Sequence, residues 1–251
     1  MPTKVVHDLL RALVDLVLPA DCAGCAAPGR LVCTDCAAVL GGLPRVVRPS
    51  PRLPGLPPLA AVTRYAGPGR ALLLAHKEHG QLGLSRPLGT ALAAAVLVAC
   101  GPVPGSGAPT GPLLVVPMPS SRAARRARGY DHAGRLAAAA SCAMVTVGVP
   151  AHVVPALRQS RRVADQAGLG AAARAANLAG ALAVRRGCPD LRAGPVVLVD
   201  DVLTTGATLA EAARVIRTAG AHVLAAATVA ATERHDAATR TLASERPTAA
   251  E

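Results

Sequence analysis

The chain has 251 residues and a formal net charge of +12 at pH 7, room for one large domain or a compact domain with an appendage. Hydrophobic residues make up 51% but aromatics 1%, so a core must come from Val, Leu and Ala, and the aromatic faces of a single-stranded nucleic-acid platform are nearly lacking. The 27 Lys and Arg against 15 Asp and Glu fit a polyanion or a phosphorylated ligand, although lysine occurs only at Lys4 and Lys77, so part of the surplus reflects an arginine and alanine bias.

In chain order, Val6, Leu9, Leu10, Leu13, Val14 and Val17 fall at helical spacing and predict a helix over 5–18. Asp8, Arg11 and Asp15 interrupt the apolar run a signal peptide needs, and Leu88 to Cys100 is too short to span a bilayer. The expectation is a cytoplasmic chain without membrane insertion. A cysteine-bearing segment, 19–40, follows the helix and completes an N-terminal module, 1–43. The stretch 44–58, PRVVRPSPRLPGLPP, reads as an extended linker. The main domain is expected over 59–232 and a frayed tail, without apolar period, over 233–251.

Within the main domain a strand is expected at Ala60–Tyr65 and helices at 68–77 and 86–99. A Pro/Gly loop, 101–112, leads to the strand LLVVPMP and a helix over 131–147. AHVVPAL reads as one strand, 165–180 as an Ala-rich helix, ALAV and PVVLVD as strands, Ala207–Ala219 as a helix and HVLAAATVAA as the last strand. Strands alternating with helices predict an α/β fold, a mostly parallel sheet covered on both faces.

The segment GPVVLVDDVLTTGATL, Gly194 to Leu209, carries the clearest chemistry. Val196–Val199 reads as a buried parallel strand, and in open α/β sheets ligands bind where such strands end. Asp200 and Asp201 fall at that end. The turn Thr204, Thr205, Gly206, Ala207, Thr208 then opens a helix, whose free N–H groups and dipole suit a phosphate. The carboxylates suit sugar hydroxyls, directly or through magnesium. Phosphate on the turn and ribose on the aspartates make the ligand a ribose 5-phosphate. Two plainer readings compete: the metal-binding strand of a P-loop NTPase, which needs a Gly-Lys this chain lacks, and an ordinary strand–turn–helix capped by threonine.

Cys22-x2-Cys25 and Cys33-x2-Cys36, seven residues apart, have the spacing of four thiolates around one structural zinc. The alternatives are a redox dithiol, which needs only one pair, and two disulfides, which a reducing compartment disfavours. Cys100, Cys142 and Cys188 have no partner at useful spacing and read as small core residues.

Val196–Leu209 resembles the phosphoribosyl-pyrophosphate motif of type I phosphoribosyltransferases: hydrophobic run, two acids, then Thr-Thr-Gly-x-Thr. With LPADCAGC…VCTDC, RALLLAHKEHG, VVPMPSSRAARRARGYDHAGRLA and DQAGLGAAARAANLAGAL, the chain from about 18 to 232 is similar to the ComF family. The resemblance implies a type I phosphoribosyltransferase fold with a small N-terminal zinc module. It implies that Asp200 and Asp201 contact the ribose 2- and 3-hydroxyls and that Thr204, Thr205, Gly206, Ala207 and Thr208 hold the 5-phosphate. Magnesium would accompany phosphoribosyl pyrophosphate, with possible transfer of the phosphoribosyl group to a base or amine. The alternative it implies is a non-catalytic accessory of natural competence and DNA uptake, binding single-stranded DNA or a helicase-like protein. The family usually has Asn-Gln after its Arg-Gly-aromatic, where this chain has Asp131-His132.

Several cations are candidates for the pyrophosphate. Arg122, Arg125, Arg126 and Arg128 lie on a segment read as a basic loop, which could neutralise pyrophosphate or simply be solvated. Lys77, matching the family's lysine, is either an oxyanion contact or a surface residue. His76 and His79 beside it read as surface residues. Arg161, Arg162, Gln166 and Arg174 lie where related enzymes close a loop over substrate; an amphipathic helix is the other reading. Tyr130 reads equally as a packing or a stacking residue. No acid–base residue stands out.

Overall fold

The computed structural model describes residues 21–51, 53–101, 111–161, 178 and 180–232. The helix expected over 5–18, the main part of that over 165–180, with Arg162, Gln166 and Arg174, and the tail 233–251 lie outside them. So does the side chain of Arg122.

The sheet is mixed and mostly parallel. Helix α1 (Thr34–Leu40) precedes strand β1 (Arg45–Val46), which pairs antiparallel with β2 (Leu59–Arg64). After helices α2 (Gly67–Lys77) and α3 (Ser85–Cys100) comes β3 (Leu113–Pro117), then α4 (Arg122–Arg128), α5 (His132–Thr146) and β4 (Ala151–Val153). Two short strands, β5 (Leu157–Gln159) and β6 (Leu182–Val184), form a separate antiparallel pair. Strand β7 (Val196–Leu203), helix α6 (Ala207–Thr218) and β8 (Val223–Ala231) complete the described chain. The main sheet runs β1-β2-β8-β7-β3-β4, with every pair parallel except the first. Helices cover both faces, as the alternation of elements predicts.

Strand β7 shows why both faces are filled. Val197 and Val199 enter a core shared with α2, α3 and α5, whereas Val196 and Leu198 enter the core beneath α6. The near-absence of aromatics is met by close approach rather than by bulk. A Cβ placed at Gly89 of α3 would collide with Ala139 of α5, so only small residues fit where these helices cross. Together with the preceding turn, α3 forms a 19-residue stretch, Leu82–Cys100, apolar and long enough by composition to cross a bilayer. Here it is a core helix, with Leu88, Leu92, Ala95 and Val96 fully buried.

Four expectations change. AHVVPAL is two strands: Pro155 lacks an N–H for the ladder, and Ala156 N–H bonds back to Val154 C=O (2.7 Å) across it, so the chain leaves the main sheet. The proline-rich stretch 44–58 is packed in part. Arg45 and Val46 pair with Ala61 and Ala60, and Val47 and Leu53 are buried. The segment read as a basic loop is helix α4, its start capped by Ser121 Oγ accepting from Ala124 N–H (3.0 Å) and its end turned by Gly129 at φ 79°. Of the three lone cysteines, Cys100 and Cys188 are half-buried against the two cores, as expected, whereas Cys142 is exposed.

Candidate functional site

Helices α2, α4 and α6 all begin from loops at the carboxyl ends of parallel strands, at one edge of the sheet. There β7 runs on through Asp200 and Asp201 to Leu203 before the turn opens α6. Gly206 sits in the left-handed region at φ 78°, and a Cβ there would press on Leu56 and Pro49 at 3.3–3.4 Å. Both conditions call for glycine. Gly206 at the N-cap of α6 offers no capping side chain. Thr205 Oγ1 accepts a long bond, 3.4 Å, from Ala207 N–H. The turn therefore presents first-turn amide donors beside an exposed Thr204 and half-buried Thr205 and Thr208, an arrangement suited to an oxyanion.

The two carboxylates differ. Asp201 is buried, with 5% of its surface exposed. Its Oδ1 accepts from Val202 N–H at 2.9 Å, and its Oδ2 accepts from Lys77 Nζ at 2.6 Å, with His132 Nε2 at 3.8 Å. Burial alone would raise its pKa, but the Lys77 charge and hydrogen bond outweigh it and hold the carboxyl below its usual range. Asp200 is half-buried, and its Oδ1 accepts from Asp201 N–H at 2.9 Å. Burial and the adjacent Asp201 charge push its carboxyl well above the ordinary value.

The end of α2 is clamped from the α4–α5 junction. The Tyr130 hydroxyl donates to the carbonyls of His76 (2.5 Å) and Lys77 (2.8 Å), one proton shared between two acceptors. Arg128 grips Glu78 through two bonds, 3.0 and 3.1 Å. His76 is buried, not a surface residue. Its Nε2 lies 3.0 Å from Ser85 Oγ, and burial, aided by His132, lowers its pKa to about 4. Burial lowers the His132 pKa as well, with Lys77 and Arg128 adding to the effect against the pull of Asp201. For Lys77 the balance runs the other way: burial favours the neutral amine, and Asp201 more than restores the charge.

Of the candidate cations, then, the structure brings Lys77 to Asp201. Arg128 is engaged by Glu78, and Arg125 lies 3.8 Å from Asp131. Arg126 and Arg161 are exposed. His132, Glu78 and the hydroxyl role of Tyr130 are additions the sequence did not single out. His132 was visible only as a departure from the family's polar pair.

The cysteine module packs against α2. The Sγ atoms of Cys22, Cys25, Cys33 and Cys36 all lie within 4.8 Å of one another. Cys25 and Cys33 sulfurs are 3.5 Å apart, too far for a disulfide and close to the edge of a tetrahedron of metal-bound thiolates. Cys22 Sγ accepts from Cys33 N–H at 3.3 Å. Burial would raise the Cys22 pKa, yet backbone N–H groups of Cys33, Gly24 and Cys25 bring it down to about 6. The donor set, four soft thiolates without an oxygen, fits a metal ion such as zinc. Cys22 and Cys36 are buried in the same core as Leu72 and Leu73 of α2.

Residues 129–246 match the phosphoribosyl transferase domain family. Adenine phosphoribosyltransferases of Mycobacterium avium (strain 104) and Mycolicibacterium paratuberculosis (strain ATCC BAA-968 / K-10) are each 60% identical over 40 residues. Those residues are 16% of this chain and 22% of each relative, so the chain spans about a fifth of the length of the curated relatives it matches. The acidic strand end and the glycine-hinged turn thus fall within the stretch that matches a phosphoribosyl transferase domain, and the four-cysteine cluster precedes that stretch.

Proposed function

We propose that the chain binds phosphoribosyl pyrophosphate with magnesium and transfers its phosphoribosyl group to a base or amine, releasing pyrophosphate. The observation that carries this reading is the pairing of the uncapped, glycine-hinged turn Thr204–Thr208 with the carboxylates Asp200 and Asp201 one strand end away. The turn's amides and hydroxyls would hold the 5-phosphate, and the acidic pair would face the ribose. The Asp200 carboxylate, a hard oxygen donor, suits magnesium, which would neutralise the pyrophosphate when bound. Attack by the acceptor at ribose C1 breaks the bond to the pyrophosphate oxygen, and pyrophosphate leaves with the electron pair. In this reading the chain contributes position and charge: the turn fixes one end of the substrate while Lys77 and the arginines of α4 supply positive charge at the other.

The finer placement is within the ComF family, with the cysteine cluster as a structural zinc module. Four thiolates leave no open coordination position, which suits scaffolding rather than chemistry. The accessory reading, binding of single-stranded DNA or a helicase-like protein, is favoured by the exposed arginines of α4, Arg125 and Arg126. Adding candidate bases and amines to the magnesium–phosphoribosyl pyrophosphate complex and measuring pyrophosphate release separates the two. Release with any acceptor supports the transferase. Salt-dependent DNA binding without release would favour the accessory role.

A further inference from the structure

Away from the acidic strand end, a cavity of about 460 Å³ lies between the proline-rich stretch and helix α6, within the size range of small-molecule sites. We infer that it binds a small organic acid, one carboxylate on a compact apolar body, and that the occupant acts on the phosphate turn beside it. The cavity stands without the phosphoribosyl reading; its role as an effector site rests on that reading.

Residue size explains the opening. Ala207 and Ala210 of α6 line the cavity opposite the proline-rich stretch, and their methyl groups are too short to close the gap. The stretch is fastened on either side of it. Leu53 is buried in a small core with Leu178, Ala181 and Ala207. Arg217, two helical turns beyond Ala210, donates to the Gly55 carbonyl. Held at both points, the stretch bridges α6 over an apolar floor.

Charge selects the ligand. Glu211 is buried, and both of its oxygens are taken. Its Oε1 accepts from Gly180 N–H and Arg214 Nη2, and its Oε2 accepts from Arg214 Nε, all at 2.8 Å. The pair is neutral as a unit and fixes Arg214 with its Nη1 left for another acceptor. Arg217 meets a carbonyl, and among the described residues no acid is recorded beside it. The rim therefore carries one uncompensated positive charge. An inorganic anion would leave the alanine floor uncovered, and a neutral apolar molecule would leave the guanidinium groups unanswered. A carboxylate on an apolar body satisfies both.

Ala207 joins the cavity to the turn. It lines the cavity and is also the first residue of α6, directly after Gly206. Leu56 and Pro49 of the same proline-rich stretch close in on Gly206 from outside. An occupant pressing on Ala207 and on the stretch thus bears on the phosphate turn from two sides, and binding at either site must change the affinity of the other by the same factor.

The test is a nuclear magnetic resonance titration of the isotope-labelled full chain with naphthoate as the probe. Saturable amide shifts are expected at Gly55, Ala210 and Arg217, with Gly206 moving on the same curve. Acetate lacks the apolar body and naphthalenemethanol lacks the charge, so each should bind at least about ten-fold more weakly. Arg217→Gln removes the charge and Ala210→Leu fills the floor; each should weaken naphthoate by about ten-fold or more, while the spectra themselves report that the variants fold. Binding unchanged in either variant, or acetate binding as well as naphthoate, would overturn the site. A Gly206 amide that does not move would overturn its link to the turn. If the chain binds no phosphoribosyl pyrophosphate, the effector role falls with that reading, and the same shifts still decide the site.

Discussion

Lys77 Nζ and Asp201 Oδ2 lie 2.6 Å apart across 124 residues of sequence, joining the end of α2 to the acidic strand end of β7. Both groups are largely removed from water, so removing one leaves the other uncompensated. Lys77→Met should destabilise the protein by about 3 kcal/mol, whereas Lys77→Met with Asp201→Asn should recover a large part of that loss. Chemical denaturation of the two variants measures the difference. A loss in the double variant equal to the sum of the losses of Lys77→Met and Asp201→Asn alone would show the pair to be uncoupled.

The acidic pair also sets a pH dependence. Asp201 is held below the ordinary aspartate range, so its contribution is present above that range and is lost as pH falls through the lower folded pKa. Asp200 has the opposite sign. Its folded pKa is raised, so stability declines as pH rises from about the unfolded value toward the folded one. Asp200→Asn should therefore raise the stability of the unliganded protein at neutral pH by about 1 kcal/mol, roughly 3 °C in Tm, and abolish the decline in stability that Asp200 ionisation causes as pH rises. Calorimetric melting between pH 4 and 8 reads both effects.

Gly206→Ala tests the turn. The residue would have to adopt φ 78° with its methyl against Leu56 and Pro49, a cost of about 1–3 kcal/mol. The expected outcome is a lowered melting temperature together with loss of phosphate-dependent stabilisation, measured by thermal shift with and without phosphoribosyl pyrophosphate.

The cysteine cluster should bind one metal ion per chain, with zinc by elemental analysis. Because Cys22 and Cys36 share a core with Leu72 and Leu73, chelation or Cys36→Ser should loosen α2 as well as the module. Metal uptake by the stripped protein should slow as pH falls below about 6, where Cys22 takes up its proton. A stripped protein with unchanged melting behaviour would argue against a structural metal.

Tyr130→Phe removes the hydroxyl that bridges two carbonyls at the end of α2. Its cost should be about 1–3 kcal/mol, the penalty for leaving those carbonyls short of a donor. Equilibrium unfolding checks the magnitude.

Local signals carried far in this chain. The aliphatic run before Asp200 and the Thr-Thr-Gly-Ala-Thr turn place the site at a strand end, and the two Cys-x2-Cys pairs converge as their spacing predicts. Helix α4 was also legible, since Ser121 and Gly129 bracket a run of helix-favouring Ala and Arg, but its charge drew it toward a loop. The clamp on α2 was not legible. Tyr130, Arg128 and Glu78 meet only because β2 and β3 carry α2 and α4 to the same edge of the sheet, and no local period encodes that meeting. His76 was not legible for a related reason: beside Lys77 and without further metal ligands nearby it reads as a surface residue, yet helical phase turns it inward to Ser85.

Isothermal titration of the zinc-loaded chain with magnesium–phosphoribosyl pyrophosphate, run beside Asp200→Asn, tests the central claim most directly. Saturable binding by the parent chain, weakened about 100-fold in the variant, is the predicted result. A folded, metal-loaded parent that binds no phosphoribosyl pyrophosphate, or binds it equally well without Asp200, would contradict it.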